Sequence, residues 1–174
     1  MLEKYNRYLF LRLFLDSPTE KFRVREIARH THISPPSVMN YLKEFEKGGL
    51  IKKQTKNRIP FYYAIRDNPD FILYKKISII FELHRSGLID YLWDKTSPEA
   101  IVLYGSFARG ESIEDSDIDL FVLGKESLTN INVFEKKMNK RIHLLFNDSL
   151  KNVSKELKNN ILNGIILKGY LTVF

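Results

Sequence analysis

The spacing of apolar residues predicts three helices in the first fifty residues. From Glu3 to Leu15, apolar residues recur at helical spacing, which indicates an amphipathic first helix. A second, short helix fits Val24 to Thr31. Ser34 is a favourable N-cap and Pro35 suits the first position of a third helix, which the pair Gly48-Gly49 ends. The pattern therefore predicts a first helix followed by two helices that are separated by a short turn.

Two β-prone runs follow the third helix. They are Leu50 to Gln54 and Phe61 to Ile65, and the polar segment Thr55 to Pro60 lies between them. Such an arrangement predicts a β-hairpin. The order helix, helix, turn, helix and hairpin resembles the winged helix-turn-helix domains of prokaryotic transcription factors, and the segment REIARHTHISPPSVMNYLKEFEKGGLIKK carries this resemblance. It covers about residues 1–66, which we expect to form a DNA-binding domain.

The charge distribution supports a polyphosphate partner for this segment. Residues 1–66 hold fourteen Lys and Arg against six Asp and Glu, a net charge of +8, whereas the whole chain of 174 residues carries +7. All of the excess positive charge therefore lies in the first third, which favours double-stranded DNA as the partner. A purely protein-binding winged helix remains the alternative. The third helix would enter the major groove and the hairpin would lie over the backbone or minor groove, so the expected DNA contacts are Ser37, Asn40, Tyr41, Lys43, Lys52, Lys53, Lys56 and Arg58.

Residues 67–96 continue with apolar residues at helical spacing, and the pattern predicts a helical linker interrupted near Gly87. Its apolar residues suit either core packing or the seam of a homodimer. The chain has no cysteine, which excludes disulfides and thiolate zinc sites. No apolar run approaches the roughly 20 residues that span a bilayer. We therefore expect an intracellular, cytoplasmic protein that does not insert in a membrane.

The pattern changes again after this linker. Ala100 to Tyr104 is a short, continuous apolar run that predicts a buried strand, and Gly105-Ser106 follows it directly. A second predicted strand runs from Asp117 to Leu123. Because side chains alternate along a strand, Asp117 and Asp119 would project to the same side. Two neighbouring carboxylates are costly without a cation between them, and hard ions such as Mg²⁺ or Mn²⁺ prefer oxygen ligands.

The residues before the second strand suit a phosphate group. Gly105 permits close backbone approach, and Ser106 adds a hydroxyl donor at the start of a short helix. The segment LYGSFARGESIEDSDIDLFVLG resembles the Gly-Ser…Asp-x-Asp signature of the DNA polymerase β-like nucleotidyltransferases, and in particular of the small minimal nucleotidyltransferases. This resemblance covers roughly residues 97–170, and we assign the second domain to residues 97–174.

The resemblance implies an α+β fold in which the second domain is a mixed sheet flanked by helices. It further implies that the NTP phosphates lie at Gly105 and Ser106 and that Asp117 and Asp119 hold two Mg²⁺ ions. Arg109 and Ser116 are further candidates for nucleotide binding, and Arg109 could instead be a solvated or salt-bridging arginine. Family members carry a third carboxylate on the next strand. That strand is predicted from Lys140 to Phe146, and His143 stands at the corresponding position. His143 could act as the general base or be a structural histidine, so the sequence leaves catalysis open.

Three functions agree with these features. The first is transfer of an NMP from an NTP to a hydroxyl of a protein or nucleic acid, with release of pyrophosphate. The second is transcriptional regulation in which a catalytically degenerate transferase domain senses nucleotide. The third is an antitoxin-like AMP transferase, because minimal nucleotidyltransferases are often paired with HEPN-type toxins.

Overall fold

A computed structural model describes residues 5–172 and contains, within that range, eight α-helices and six β-strands. Glu3, where the first helix is expected to begin, lies outside the described residues. The chain divides into two compact units, Met1–Lys75 and Lys76–Phe174. None of the helices within the described range combines the length and apolar character needed to cross a membrane.

The first unit contains the three predicted helices and the hairpin. Its elements are α1 Asn6–Asp16, α2 Val24–Thr31, α3 Pro35–Lys47, β1 Ile51–Lys56 and β2 Ile59–Ala64. The turn between α2 and α3 uses His32 in the left-handed conformation, with φ of 56°. One apolar core joins the elements, and its most deeply buried side chains include Phe10, Phe14, Ile27, Val38 and Leu42.

The hairpin turn is shorter than the sequence suggests. The expected polar tip over residues 55–60 is wrong, because Thr55 pairs with Pro60 and Lys56 pairs with Ile59 within the two strands. Only Asn57 and Arg58 form the turn, and both have positive φ, 51° and 64°. A two-residue turn with left-handed residues at both positions matches the natural twist of paired strands, which lets the strands continue up to it.

One further segment pairs with this sheet through a single bridge. Phe22 forms an isolated antiparallel bridge with Tyr62, and the two residues exchange backbone hydrogen bonds of 2.8 Å. The side chains of both are buried in the core of the first unit. The bridge therefore fixes the segment before α2 to the hairpin, and it orients the residues on either side of Phe22 toward the opposite face of the sheet.

The second unit is built on a mixed four-stranded sheet, which confirms the expected fold class. The strand order is β5-β4-β3-β6, with β4 and β5 parallel and the other two pairs antiparallel. The elements after residue 66 are α4 Pro69–Ser86, α5 Leu88–Thr96, β3 Ala100–Tyr104, α6 Gly105–Arg109, β4 Ile118–Leu123, α7 Asn132–Met138, β5 Ile142–Asn147, α8 Lys155–Leu162 and β6 Ile165–Gly169. A break at Gly87, with φ of 85°, separates α4 from α5.

Both faces of the sheet are covered. Ile101 and Leu103 of β3 contribute to a core that also contains Leu92 of α5, whereas Val102 and Tyr104 contribute to a second core with Ile161 of α8. The alternation along β3 agrees with the period of two that a strand imposes. Because β3 is antiparallel to β4, the last residues of β3 lie beside the first residues of β4, and this end of the sheet carries the nucleotidyltransferase signature.

Candidate nucleotide site and nucleic-acid interface

Gly105 brings the backbone directly against a carboxylate. Tyr104, the last residue of β3, pairs with Asp119 of β4. Gly105 has φ of 71°, and a β-carbon at this position would lie 2.4 Å from Oδ2 of Asp119. Only glycine fits both the left-handed backbone and the space that remains. The sequence therefore uses Gly105 to place the start of α6 beside the Asp119 carboxylate.

Short-range hydrogen bonds shape the loop between α6 and β4. Ser106, which is half-buried, accepts a hydrogen bond at its backbone oxygen from the Glu111 amide, at 2.9 Å. The Ser116 hydroxyl accepts one from the Ile113 amide, also a local contact, at 2.8 Å. Exposed Arg109 pairs its Nε with a Glu111 carboxylate oxygen at 2.7 Å. Ser116 thus fixes the loop that leads to Asp117, while the exposed Arg109 pair adds little stability.

The two carboxylates each face a basic side chain from β5. Asp117 lies one residue before β4, because the strand begins at Ile118, one residue later than the sequence predicts. Its Oδ1 is 2.9 Å from Nε of Arg141. Oδ1 of Asp119 is 3.4 Å from Nδ1 of His143, and these two residues are register partners in the parallel pair β4–β5. The structure brings His143 next to Asp119, as expected, and adds Arg141, which sequence reasoning missed.

The charge and burial of this site also affect Tyr104. Burial first, and then the negative charge of Asp119, raise the pKa of the Tyr104 hydroxyl above its ordinary value. Both effects disfavour a second negative charge beside the carboxylate. The buried Tyr104 hydroxyl therefore stays in its neutral form beside Asp119.

The carboxylates of Asp117 and Asp119 suit a divalent ion whose remaining ligands come from the substrate and from water. The side chains of Asp117 and Asp119 are 41% and 29% exposed, so their oxygens can reach a ligand. Within residues 5–172, no three His, Asp or Glu side chains form a metal-binding group. Two carboxylates without a third fit Mg²⁺ or Mn²⁺ only as an open site, since these ions complete their coordination with water and phosphate oxygens.

Two other carboxylates near β5 have different surroundings. Glu135 of α7 accepts a hydrogen bond from the Ile142 amide at 2.9 Å, so it stabilises the start of β5. Asp148 follows β5 and lines a cleft of about 420 Å³ at the opposite end of the strand. That cleft is lined by Gly124, Lys125, Glu126, Phe146, Asn147, Asp148 and Asn152. Neither carboxylate takes the place of the third family carboxylate beside Asp119.

The expected DNA face of the first unit is largely accessible. Two of its members are half-buried: Ser37, whose Oγ accepts a hydrogen bond from the Ser34 hydroxyl at 3.0 Å, and Tyr41. The centre of the Tyr41 ring lies 5.6 Å from that of the Phe10 ring, and Tyr41 packs on the core, so it is less accessible to a ligand than the exposed members. The exposed members are Asn40 and Lys43 of α3 and Lys52, Lys53, Lys56 and Arg58 of the hairpin.

The Phe22 bridge adds two cations that sequence reasoning missed. Lys21 donates a hydrogen bond from Nζ to Oε1 of Gln54 at 2.7 Å, and its ammonium lies 5.2 Å from the ring centre of Tyr63. The Arg23 guanidinium lies 4.9 Å from the ring centre of Phe61. These contacts hold both side chains on the outer face of the β1–β2 hairpin. The sequence signal was the alternation Lys21-Phe22-Arg23, which is typical of a strand with one buried face.

Two family models match the chain, one in each half. The family described as "Polymerase beta, Nucleotidyltransferase" matches residues 86–171, and a family described as "Winged helix-turn-helix DNA-binding" matches residues 23–52. No curated protein matches the chain. One chain of a solved structure described as "Crystal structure of the toxin-antitoxin with AMP-PNP" is 26% identical, with a TM-score of 0.38, over 48% of this chain and 71% of that chain. The present chain thus joins a winged helix-turn-helix DNA-binding domain to a nucleotidyltransferase domain of the polymerase β family.

Proposed function

We propose that the protein binds double-stranded DNA through residues 1–66 and a metal-bound NTP through residues 97–174, with the helical residues 67–96 between them. The nucleotidyltransferase domain transfers the NMP of an NTP to a hydroxyl of a protein or nucleic acid. Gly105 and Ser106 contact the triphosphate, with Arg109 and Ser116 at its border. Asp117 and Asp119 hold Mg²⁺ or Mn²⁺.

The close approach of Gly105 to Asp119 is the observation that carries this proposal. The 2.4 Å between a would-be β-carbon and Oδ2 of Asp119 leaves room for no side chain. Core packing does not require this close contact, because Asp119 is partly exposed. The contact instead places the start of α6 beside a metal-binding carboxylate, so that a phosphate bound by the backbone amides of α6 would lie next to a metal ion bound by Asp119.

The transfer reaction requires a nucleophile, a leaving group and a proton acceptor. The acceptor hydroxyl oxygen forms a bond to the α-phosphorus, the bond between that phosphorus and the α–β bridging oxygen breaks, and pyrophosphate leaves. The hydroxyl proton goes to the imidazole of His143, whose Nδ1 lies 3.4 Å from Oδ1 of Asp119. A divalent ion bound to Asp117 and Asp119 would supply charge stabilisation at the phosphoryl oxygens.

A second function, nucleotide sensing without transfer, is favoured by a separate observation. Asp117 faces Arg141, and Asp119 faces His143. His143 stands at the position where family members carry a further carboxylate. A site with this charge distribution can bind a triphosphate and still lack the negative charge that supports two metal ions. In that case the bound nucleotide changes the DNA affinity of the protein, and no covalent product forms.

Labelled nucleotides distinguish these two functions. The purified protein is incubated with α-labelled NTPs, Mg²⁺ or Mn²⁺, and extract of the source cells. We expect label on protein or nucleic acid with the wild type and none with the double variant Asp117→Asn, Asp119→Asn. Asp94→Asn, which alters an exposed carboxylate of α5, is the matched control and should behave as wild type. Metal-dependent nucleotide binding without any transfer would replace the transferase by the sensor.

A separate experiment tests DNA binding. Four cations of the hairpin are replaced by Gln: Lys52, Lys53, Lys56 and Arg58. This variant should bind DNA more weakly and with a flatter salt dependence, because a protein that makes fewer phosphate contacts releases fewer counterions when it binds. The matched control replaces the exposed Lys125, Lys136, Lys151 and Lys155 of the second unit by Gln, which changes the net charge by the same amount. Equal salt slopes for wild type and wing variant would remove the wing from the interface.

A further inference from the structure

We propose that Arg141 is a positioning residue that exchanges partners: it pairs with Asp117 in the free protein and with the NTP triphosphate once Asp117 binds a divalent ion. The proposal rests on the proposed nucleotide site, and it assigns to that site a residue outside the Gly-Ser…Asp-x-Asp signature.

The pair between Arg141 and Asp117 is easily exchanged. Nε of Arg141 and Oδ1 of Asp117 are 2.9 Å apart, but the Arg141 side chain is 79% exposed and that of Asp117 is 41% exposed. Pairs at such exposure contribute little stability, because water competes for both ions. A divalent ion can therefore displace the guanidinium from Asp117 at small cost. The guanidinium then remains next to the site where the ion and its phosphate ligands lie.

The backbone on both sides of Arg141 is fixed, in contrast to its side chain. The Arg141 carbonyl accepts a hydrogen bond from the Ile118 amide at 2.9 Å. The next amide, that of Ile142, donates to the Glu135 carboxylate at 2.9 Å. The Cα of Arg141 is therefore held just before β5, while its long side chain is exposed and can change direction. This combination suits a residue that changes partners without a movement of the sheet.

The chemistry of the side chain fits a triphosphate. A guanidinium keeps its charge at all relevant pH values and presents several N–H donors in a planar fork that matches phosphate oxygens. The two carboxylates of the site can neutralise one divalent ion, and no third carboxylate stands at His143 to support another. Arg141 thus supplies positive charge to the triphosphate that a second ion would otherwise supply.

The test measures metal binding and nucleotide binding separately. Electron paramagnetic resonance of free Mn²⁺ gives the affinity for Mn²⁺ alone, and calorimetry gives that for Mn²⁺ with α,β-methylene-ATP, which cannot lose pyrophosphate. In Arg141→Gln, Asp117 loses its competing cation, so we expect Mn²⁺ alone to bind about two- to fivefold more tightly. The nucleotide loses a charge-assisted contact, so we expect its affinity to fall on the order of tenfold. A purely structural role would weaken both.

Two further variants separate position from net charge. Lys168→Gln breaks a comparable ion pair of the same unit, with Asp90 at 2.8 Å, and should leave both affinities at the wild-type value. Arg141→Lys keeps the charge and should recover part of the nucleotide affinity. Nucleotide affinity of Arg141→Gln equal to wild type would overturn the proposal and leave the nucleotide site in place. Failure of the wild type itself to bind Mn²⁺ with α,β-methylene-ATP would overturn both.

Discussion

Replacement of Gly105 by Ala separates the cost of an unusual backbone from the cost of filling the site. Gly105 and Gly87 both have positive φ, 71° and 85°, and both lie in the second unit. A β-carbon at Gly87 has no atom within 4 Å, whereas one at Gly105 lies 2.4 Å from Oδ2 and 3.3 Å from Cγ of Asp119. Gly87→Ala is therefore the matched control for backbone strain alone.

The expected magnitudes follow from these contacts. Left-handed backbone at a residue with a β-carbon costs roughly 1–2 kcal/mol, and both variants should lose this amount of unfolding free energy. In Gly105→Ala, the Asp119 carboxylate must also turn away, which costs roughly a further 0.5–1.5 kcal/mol for an off-rotamer side chain. This rotation of the carboxylate removes Asp119 from its position beside His143. We therefore expect Gly105→Ala to lose metal and nucleotide binding, and Gly87→Ala to retain both.

A single fluorophore makes the stability measurement specific. Trp93 is the only tryptophan of the chain, and it packs on the core of the second unit. Urea unfolding followed by its fluorescence reports on the unit that holds both glycines. Calorimetry with Mn²⁺ and α,β-methylene-ATP gives the binding result. Equal stability of the two variants together with wild-type nucleotide affinity in Gly105→Ala would refute the steric argument.

The remaining predictions concern four other residues. Replacement of Lys21 and Arg23 by Gln should lower DNA affinity and reduce the salt slope, measured by fluorescence anisotropy, and an unchanged slope would exclude them from the interface. Because the pKa of Tyr104 is raised in the folded state, its contribution to stability is present below pH 10.0 and is lost as the pH rises through the folded pKa. Urea unfolding is therefore measured below pH 10.0 and again at higher pH. The loss of unfolding free energy at the higher pH should be smaller in Tyr104→Phe than in the wild type, and an equal loss would exclude this assignment. Gly164→Ala should destabilise the second unit by roughly 1–3 kcal/mol, since its β-carbon would lie 2.5 Å from the Leu103 carbonyl, and unchanged Trp93 unfolding would contradict the packing there.

Local sequence signals predicted most elements of the fold. Val24–Thr31 and Ala100–Tyr104 have the predicted bounds, because helical periodicity and a continuous apolar run define them without help from distant residues. The Gly-Ser…Asp-x-Asp signature likewise located the candidate site, since its chemistry lies within one short segment. The helix Asn132–Met138 was missed, because it has no fully buried side chain and so lacks a strong apolar stripe.

Features that depend on distant pairing could not be read from the sequence. The Phe22–Tyr62 bridge joins segments that are far apart in the chain, and nothing local to Phe22 indicates its partner. The contact between Arg141 and Asp117 depends on the parallel register of β4 and β5. A shift of that register by one residue would place Arg141 on the other face. The resemblance to a family therefore pointed to His143, whereas nothing in the sequence indicated the contact of Arg141.

A crystal grown with Mn²⁺ and α,β-methylene-ATP tests the central claim most directly, because the anomalous scattering of manganese locates the ion independently of the protein atoms. We expect one manganese peak bound by the carboxylates of Asp117 and Asp119, with the triphosphate against Gly105 and Ser106. The same experiment on the double variant Asp117→Asn, Asp119→Asn should show no peak there. A wild-type crystal with nucleotide bound elsewhere, or with no manganese at these carboxylates, would contradict the assignment of this end of the sheet as the nucleotide site.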